Sequence, residues 1–137
     1  MALVQLTDQS LDLERHLEAV SDPAFGAVVT FIGQIRDHDP EAEGQVERLE
    51  YSAHPDASEI LERIAADIES PDIRLAVSHR IGTVEVGQPA LIACVASAHR
   101  DRAYEASREL VERIKSEGPI WKQQMVTDGS HNWQGLK

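Results

Sequence analysis

A single cysteine, Cys94, excludes an internal disulfide. No apolar run approaches the roughly 20 residues that span a bilayer, and the N-terminus lacks a basic stretch followed by an apolar core. These absences predict a soluble, cytoplasmic protein. Basic residues are scarce, 13 Lys plus Arg against 24 Asp plus Glu, for a formal charge of −11. That balance argues against general binding to nucleic acid or anionic membranes, which need clustered cations. There is no GxGxxG, Walker-type glycine loop or GxSxG, so nucleotide-dependent chemistry is not indicated. The six histidines show no i, i+4 pair and no cysteine partners at zinc-site spacing, so neither a metal nor another cofactor is expected. Glycine and proline are scattered rather than gathered into a linker, and no repeat is visible. What remains is 137 residues, 42% hydrophobic and 27% charged, read as one domain over 1–137. A domain of that length buries on the order of 68% of its unfolded surface, enough for a core without staples.

The apolar periodicity predicts the elements in order. Leu11, Leu13, Leu17 and Val20 follow Ser10, a potential N-cap, as a short first helix closed by Asp22-Pro23. Gly26 to Gly33 is rich in β-branched and aromatic residues and reads as a buried strand running toward Arg36. Asp37 to Gly44 is an acidic, proline-broken loop, and Val46, Leu49 and Tyr51 mark a second strand. Pro55 opens a helix whose stripe is Ile60, Leu61, Ile64, Ala65 and Ile68, ended by Ser70-Pro71. Ile73, Leu75 and Val77 alternate as a strand, and Ala90 to Ser97 is an unbroken apolar run suited to a central strand. A long amphipathic helix follows from about Arg100 to Ser116, stopped by Gly118-Pro119, with a strand-like tail through Trp121 and Trp133. The order β, β, α, β, β, α is mixed rather than regularly alternating, which indicates an α+β fold.

Charge is unevenly placed. From His99 to Lys122 there are six basic and five acidic residues, while the remainder carries seven basic against nineteen acidic. Ser97-Ala-His-Arg100 stands where a strand gives way to a helix, and unpaired N–H groups there could receive a phosphate held by His99 and Arg100. The plainer alternative is that Ser97 caps the helix and the other two face solvent. Lys115 ends the long helix and Lys122 follows the Gly118-Pro119 turn, so the turn could return both ammonium groups to one locus. Neighbouring cations, or desolvation by Trp121, would then favour a lysine suited to nucleophilic or acid/base work. Alternatively, Lys115 is a favourable C-terminal helix charge and Lys122 a surface residue. Arg36 is a further candidate anion ligand. Cys94, inside an apolar run, reads as a small buried hydrophobe.

Taken together and in order, Gly26-Ala-Val-Val-Thr-Phe31 with Gly33 and Arg36, Leu49-Glu-Tyr51, His79-Arg-Ile-Gly82, Ser97-Ala-His-Arg100, and Lys115 with Pro119-Ile-Trp-Lys122 resemble the large, catalytic subunits of molybdopterin synthase. The resemblance implies a mixed α/β hammerhead-type fold with a largely antiparallel sheet and two main helices. It also implies a homodimer formed through the sheet, within a heterotetramer carrying two small ubiquitin-like subunits. The activity implied is sulfurtransferase: sulfur passes from the small subunit's C-terminal Gly-Gly thiocarboxylate to cyclic pyranopterin monophosphate, twice, forming the dithiolene. In that pattern Lys115 is the leading catalytic residue and Lys122 lies beside the tail's terminal carboxyl. Arg36, His99 and Arg100 are pterin and phosphate ligands, and Phe31 lines the adjacent pocket. The chain departs from the pattern at Gln123-Gln124, where a basic residue and Glu are common, at His54, and in a short tail ending at Lys137. A non-catalytic module of the same fold, binding a ubiquitin-like partner or phosphorylated ligand, is the alternative.

Overall fold

The computed structural model describes residues 3–37, 46–126 and 131–135. Its elements are β1 (Leu3–Thr7), α1 (Leu13–Val20), β2 (Ala27–Gln34), β3 (Val46–Ala53), α2 (Ala57–Ile68), β4 (Arg74–Arg80), β5 (Gly82–Glu85), β6 (Pro89–Ser97), α3 (Arg100–Glu117), β7 (Ile120–Val126) and β8 (His131–Gly135). The α+β class stands. The strands divide into two four-stranded sheets, ordered β1-β4-β6-β2 and β5-β3-β7-β8. β1 runs parallel to β4, and the other described pairings are antiparallel.

The first sheet is covered on both faces, which explains the unbroken apolar run in β6. Leu91, Ala93 and Val95 meet Leu61, Ile64, Leu110 and Ile114 from α2 and α3. Ile92, Cys94 and Ala96 meet Val20 and partly buried residues around α1. Burying a Leu or Ile fully stabilises the fold by roughly 1.5–3 kcal/mol, so this layer is the main apolar contribution. The second sheet closes a smaller cluster of Leu49, Tyr51, Val84 and Ile120 with Ala57 of α2. Cys94 is fully buried, as its surroundings in the sequence suggested.

Several local expectations are corrected. The N-terminus is a strand, because Leu3 to Thr7 find a partner in β4 that no local pattern announces. Gly82 to Glu85 pairs with β3 as a short fourth strand of the second sheet. Asp12, not Ser10, caps α1, its side chain accepting from the Glu14 N–H at 3.0 Å. α2 begins at Ala57, so Pro55 lies in the preceding turn rather than at the first helical position. Ser97 does not cap α3; its hydroxyl donates to the Asp72 carbonyl at 2.8 Å, and His99 holds the cap position. Beyond Asp37 the acidic loop lies outside the described residues, as do Lys137 and the side chain of Gln124.

Two glycines set the geometry near the site. Gly82 has φ +81, a conformation L side chains rarely adopt, and it carries the chain from the first sheet to the second. At Gly118 a Cβ would lie 2.5 Å from the Ile114 carbonyl oxygen, so only glycine fits where α3 turns toward β7.

Candidate active site

β6 ends opposite the start of β2, with Ser97 facing Ala27, and α3 then returns across both strands. The C-terminal end of α3 therefore lies toward the far end of the sheet. Along β2 the odd positions turn toward α3, and Phe31 packs against that core. Lys115, half-buried in the last turn of α3, places its Nζ 5.6 Å from the centroid of the Phe31 ring. A cation over an aromatic face is attracted by the ring quadrupole, more strongly where water is partly excluded.

On the same face of the sheet stands His79, the penultimate residue of β4 and 2% exposed, whose strand partner Leu91 is paired in turn with Gly33, two positions from Phe31. Its Nδ1–H donates to the Arg80 carbonyl at 2.6 Å, and its ring meets Tyr51 of β3 edge-on, with centroids 5.1 Å apart and planes at 78°. Burial, aided by the positive charge of Lys115, pushes the His79 pKa down to about 4, so the ring is neutral at physiological pH. Burial likewise pushes Tyr51 up to about 12. The charge of Lys115 thus acts on a neutral His79 ring, which packs in turn on a neutral Tyr51.

Tyr51 is paired with Lys122 across β3 and β7. Directly opposed residues of an antiparallel pair project to the same face, so Lys122, half-buried, leaves β7 on the face that carries Tyr51. Trp121 points the other way and is 43% exposed. The aromatic against Lys115 is therefore Phe31 rather than Trp121, because the strand alternation turns Trp121 outward.

Arg36 is exposed, just past β2. The bonds from Ile35 N–H to the Gln88 carbonyl (3.1 Å) and from Gly87 N–H to the Ile35 carbonyl (2.8 Å) fix its neighbour at this same end of the sheet. His99 and Arg100 are elsewhere. They sit exposed at the N-terminus of α3, and fifteen residues at 1.5 Å rise separate Arg100 from Lys115 by about 22 Å. Within one chain the structure brings Lys115 and Phe31 together, adds Lys122 by its face and Arg36 by its end of the sheet, and leaves His99 and Arg100 apart.

Sequence reasoning gave no role to His79 or Tyr51, although both lie in segments that carried the resemblance. The available signal was phase: His79 continues the inward alternation of Ile73, Leu75 and Val77, which makes it a buried histidine at a strand end. Buried, oriented and neutral histidines deserve testing as site residues.

The chain matches the family model described as MoaE protein over residues 6–117. It is 37% identical to molybdopterin synthase catalytic subunit 1 of Mycobacterium tuberculosis, covering 96% of this chain and 89% of that one. It is also 37% identical to the molybdopterin synthase catalytic subunit of Bacillus subtilis, over 98% and 86%. Among solved structures, molybdopterin synthase from Staphylococcus aureus superposes with a TM-score of 0.87 at 32% identity, over 96% of each chain. With a family model spanning most of its length and relatives above 30% identity along nearly all of it, the chain belongs to the MoaE protein family, that of the molybdopterin synthase catalytic subunits.

Proposed function

We infer that the chain is the catalytic subunit of a molybdopterin synthase, a sulfurtransferase of molybdenum cofactor biosynthesis. The substrates are the C-terminal thiocarboxylate of a small ubiquitin-like subunit and cyclic pyranopterin monophosphate. The observation that carries this reading is Lys115 held over Phe31, on the sheet face that also carries the buried, neutral His79. Both substrates are anionic, and fixed positive charge in a partly water-excluded site lowers the cost of bringing them together. In a chain of formal charge −11, Lys115, Lys122 and Arg36 supply positive charge at this end of the sheet.

The thiocarboxylate sulfur attacks an oxygen-bearing side-chain carbon of the pterin; the C–O bond there breaks, its oxygen takes a proton as it leaves, and a thioester joins the tail to the substrate. Water then cleaves the acyl–sulfur bond, releasing the tail as a carboxylate and leaving sulfur on the pterin. A second round supplies the other sulfur. Lys115 serves as general acid/base or as a transient amine nucleophile. Lys122 steadies the tail's terminal carboxyl, Phe31 lines the pocket, and Arg36 binds the pterin.

His99 and Arg100, about 22 Å away by helical rise, complete the phosphate site from a second copy of the chain. Two features of β2 support a homodimer formed through the sheet. It is the last strand of its sheet, and it exposes Val28 (48%) and Ile32 (38%) on a face where α1 covers β4 and β6. With one small subunit per copy the assembly is a heterotetramer.

The test is turnover with the purified chain, thiocarboxylated small subunit and cyclic pyranopterin monophosphate, scoring dithiolene for wild type and Lys115→Ala. Product from wild type alone supports the reading. Tight partner binding without product from wild type overturns it in favour of a binding module.

A further inference from the structure

His79 has no part in the reaction above, yet it is a buried, doubly held polar side chain on the sheet face that the end of α3 covers, its strand partner Leu91 being paired in turn with Gly33, two positions from the Phe31 that Lys115 overlies. A carbonyl oxygen only accepts, so the 2.6 Å contact with Arg80 places the ring hydrogen on Nδ1. In the neutral ring Nε2 then bears the lone pair. Two further contacts prevent the ring from turning. Tyr51 meets it edge-on from the second sheet, and the carbonyl that receives its hydrogen belongs to a crossover pinned on the other side by Arg80 Nη2–H donating to the Thr83 carbonyl at 2.9 Å. Both devices hold the segment that passes into Gly82.

The Phe31 ring attracts the Lys115 ammonium but gives its N–H groups no directed acceptor, so a cation over that face keeps freedom of rotation and tilt. A group that must act on a single atom gains from losing that freedom. We propose that His79 is a positioning residue for Lys115: with substrates in the site, its Nε2 accepts a hydrogen bond from the Lys115 amine and fixes the direction in which that amine acts. The inference rests on the sulfur-transfer reading and goes beyond it by assigning a role to the buried ring of the His79-Arg-Ile-Gly82 segment.

Three substitutions separate positioning from packing. His79→Phe keeps a ring against Tyr51 and removes both nitrogens. His79→Gln places an amide near the position of Nε2, and His79→Asn places one near Nδ1, restoring only the bond to Arg80. Steady-state turnover is measured for the full chain with its thiocarboxylated partner and pyranopterin, alongside wild type and Lys115→Ala, and each variant's melting temperature is recorded. The expected result is a kcat lower by roughly 10- to 100-fold in His79→Phe, with KM for both substrates within about threefold. His79→Gln recovers most of that loss, and His79→Asn does not. Should His79→Phe fail to fold, the Gln and Asn pair decides the matter alone. Recovery by Asn but not Gln, or kcat that follows melting temperature across the series, overturns positioning in favour of a structural role. Lys115-dependent product with His79→Phe within twofold of wild type overturns the inference alone, whereas no product from wild type overturns the sulfur-transfer reading and this inference with it.

Discussion

The two ends of α3 are built on opposite principles. At its C-terminal end Lys115 is half-buried over Phe31, on the sheet face where His79 is locked against Tyr51. At its N-terminal end His99 and Arg100 are exposed, and the cap residue makes no side-chain bond to the helix. A reacting group is effective when its surroundings are arranged before the substrate arrives and water is kept back. An anion ligand at a helix start needs only positive potential and open N–H groups, and it functions equally well when a neighbouring chain delivers it. With the roles proposed above, the fold completes the demanding end internally and leaves the tolerant end on the surface.

The comparison breaks most severely at Lys115. Lys115→Ala is expected to lower sulfur transfer by about 10²- to 10⁴-fold, the range for a positioned acid/base group. Because the ammonium is not part of the core, the melting temperature should move by only a few degrees. Parallel turnover and thermal unfolding check both halves; a melting temperature that collapses with activity would mean the lysine is structural.

The next effect is a pH dependence that belongs to the buried end alone. His79 titrates at about 4 in the folded chain against 6.5 when free. Between those values the unfolded chain binds the extra proton. The stability is therefore fully present above about pH 6.5 and is lost as the pH falls toward 4, by on the order of 3 kcal/mol. Among the described residues the groups acting on the ring are Arg80, Lys115 and Tyr51, and none is a carboxylate that could pair with an imidazolium. Denaturant unfolding of wild type and His79→Gln across this window is the check, and equal acid slopes would remove His79 as the cause.

A smaller loss tests how α3 delivers its last turn. In Gly118→Ala the added Cβ meets the Ile114 carbonyl oxygen at 2.5 Å, and that atom is backbone and cannot swing aside. Opening the turn should cost about 1–3 kcal/mol in denaturant unfolding. Activity should fall as well, since the turn sets Lys115 and Lys122 relative to each other.

The sequence showed the buried end only in part. α3 was legible because its apolar residues repeat at helical spacing and Gly118-Pro119 stops it, and β6 because seven apolar residues in a row, Ala90 to Ala96, suit a strand covered on both faces. β1 was not, since five residues of mixed character become a strand only through β4, whose partner residues lie 73 positions later. The division into two sheets escaped notice for the same reason: it depends on long-range pairing and on the positive φ of Gly82, which a sequence marks only as a glycine. Lys115 and Phe31 were both candidates, but their contact joins a helix to a strand 84 positions earlier. Trp121 is the neighbour that nearness in sequence offers, and strand alternation turns it outward. Proximity along the chain suggested one locus for Lys115 and Lys122; the length of α3 separates His99 and Arg100 from both.

That separation gives the mildest prediction and the one most specific to the exposed end. Arg100→Ala removes an exposed charge with no role in the core, so folding stability should stay within about 0.5 kcal/mol of wild type. If Arg100 acts as a phosphate ligand, KM for cyclic pyranopterin monophosphate should rise roughly tenfold, equivalent to about 1.4 kcal/mol, with kcat little changed. The effect should shrink as salt is raised, because the attraction is screened at an exposed site. A mixing experiment then locates the ligand. Arg100→Ala and Lys115→Ala are each impaired alone, but a mixed dimer in which the neighbour supplies Arg100 contains one pocket with both residues intact. Recovery of activity on mixing the two variants places His99 and Arg100 across the dimer, and absence of recovery with confirmed subunit exchange returns them to the surface of their own chain.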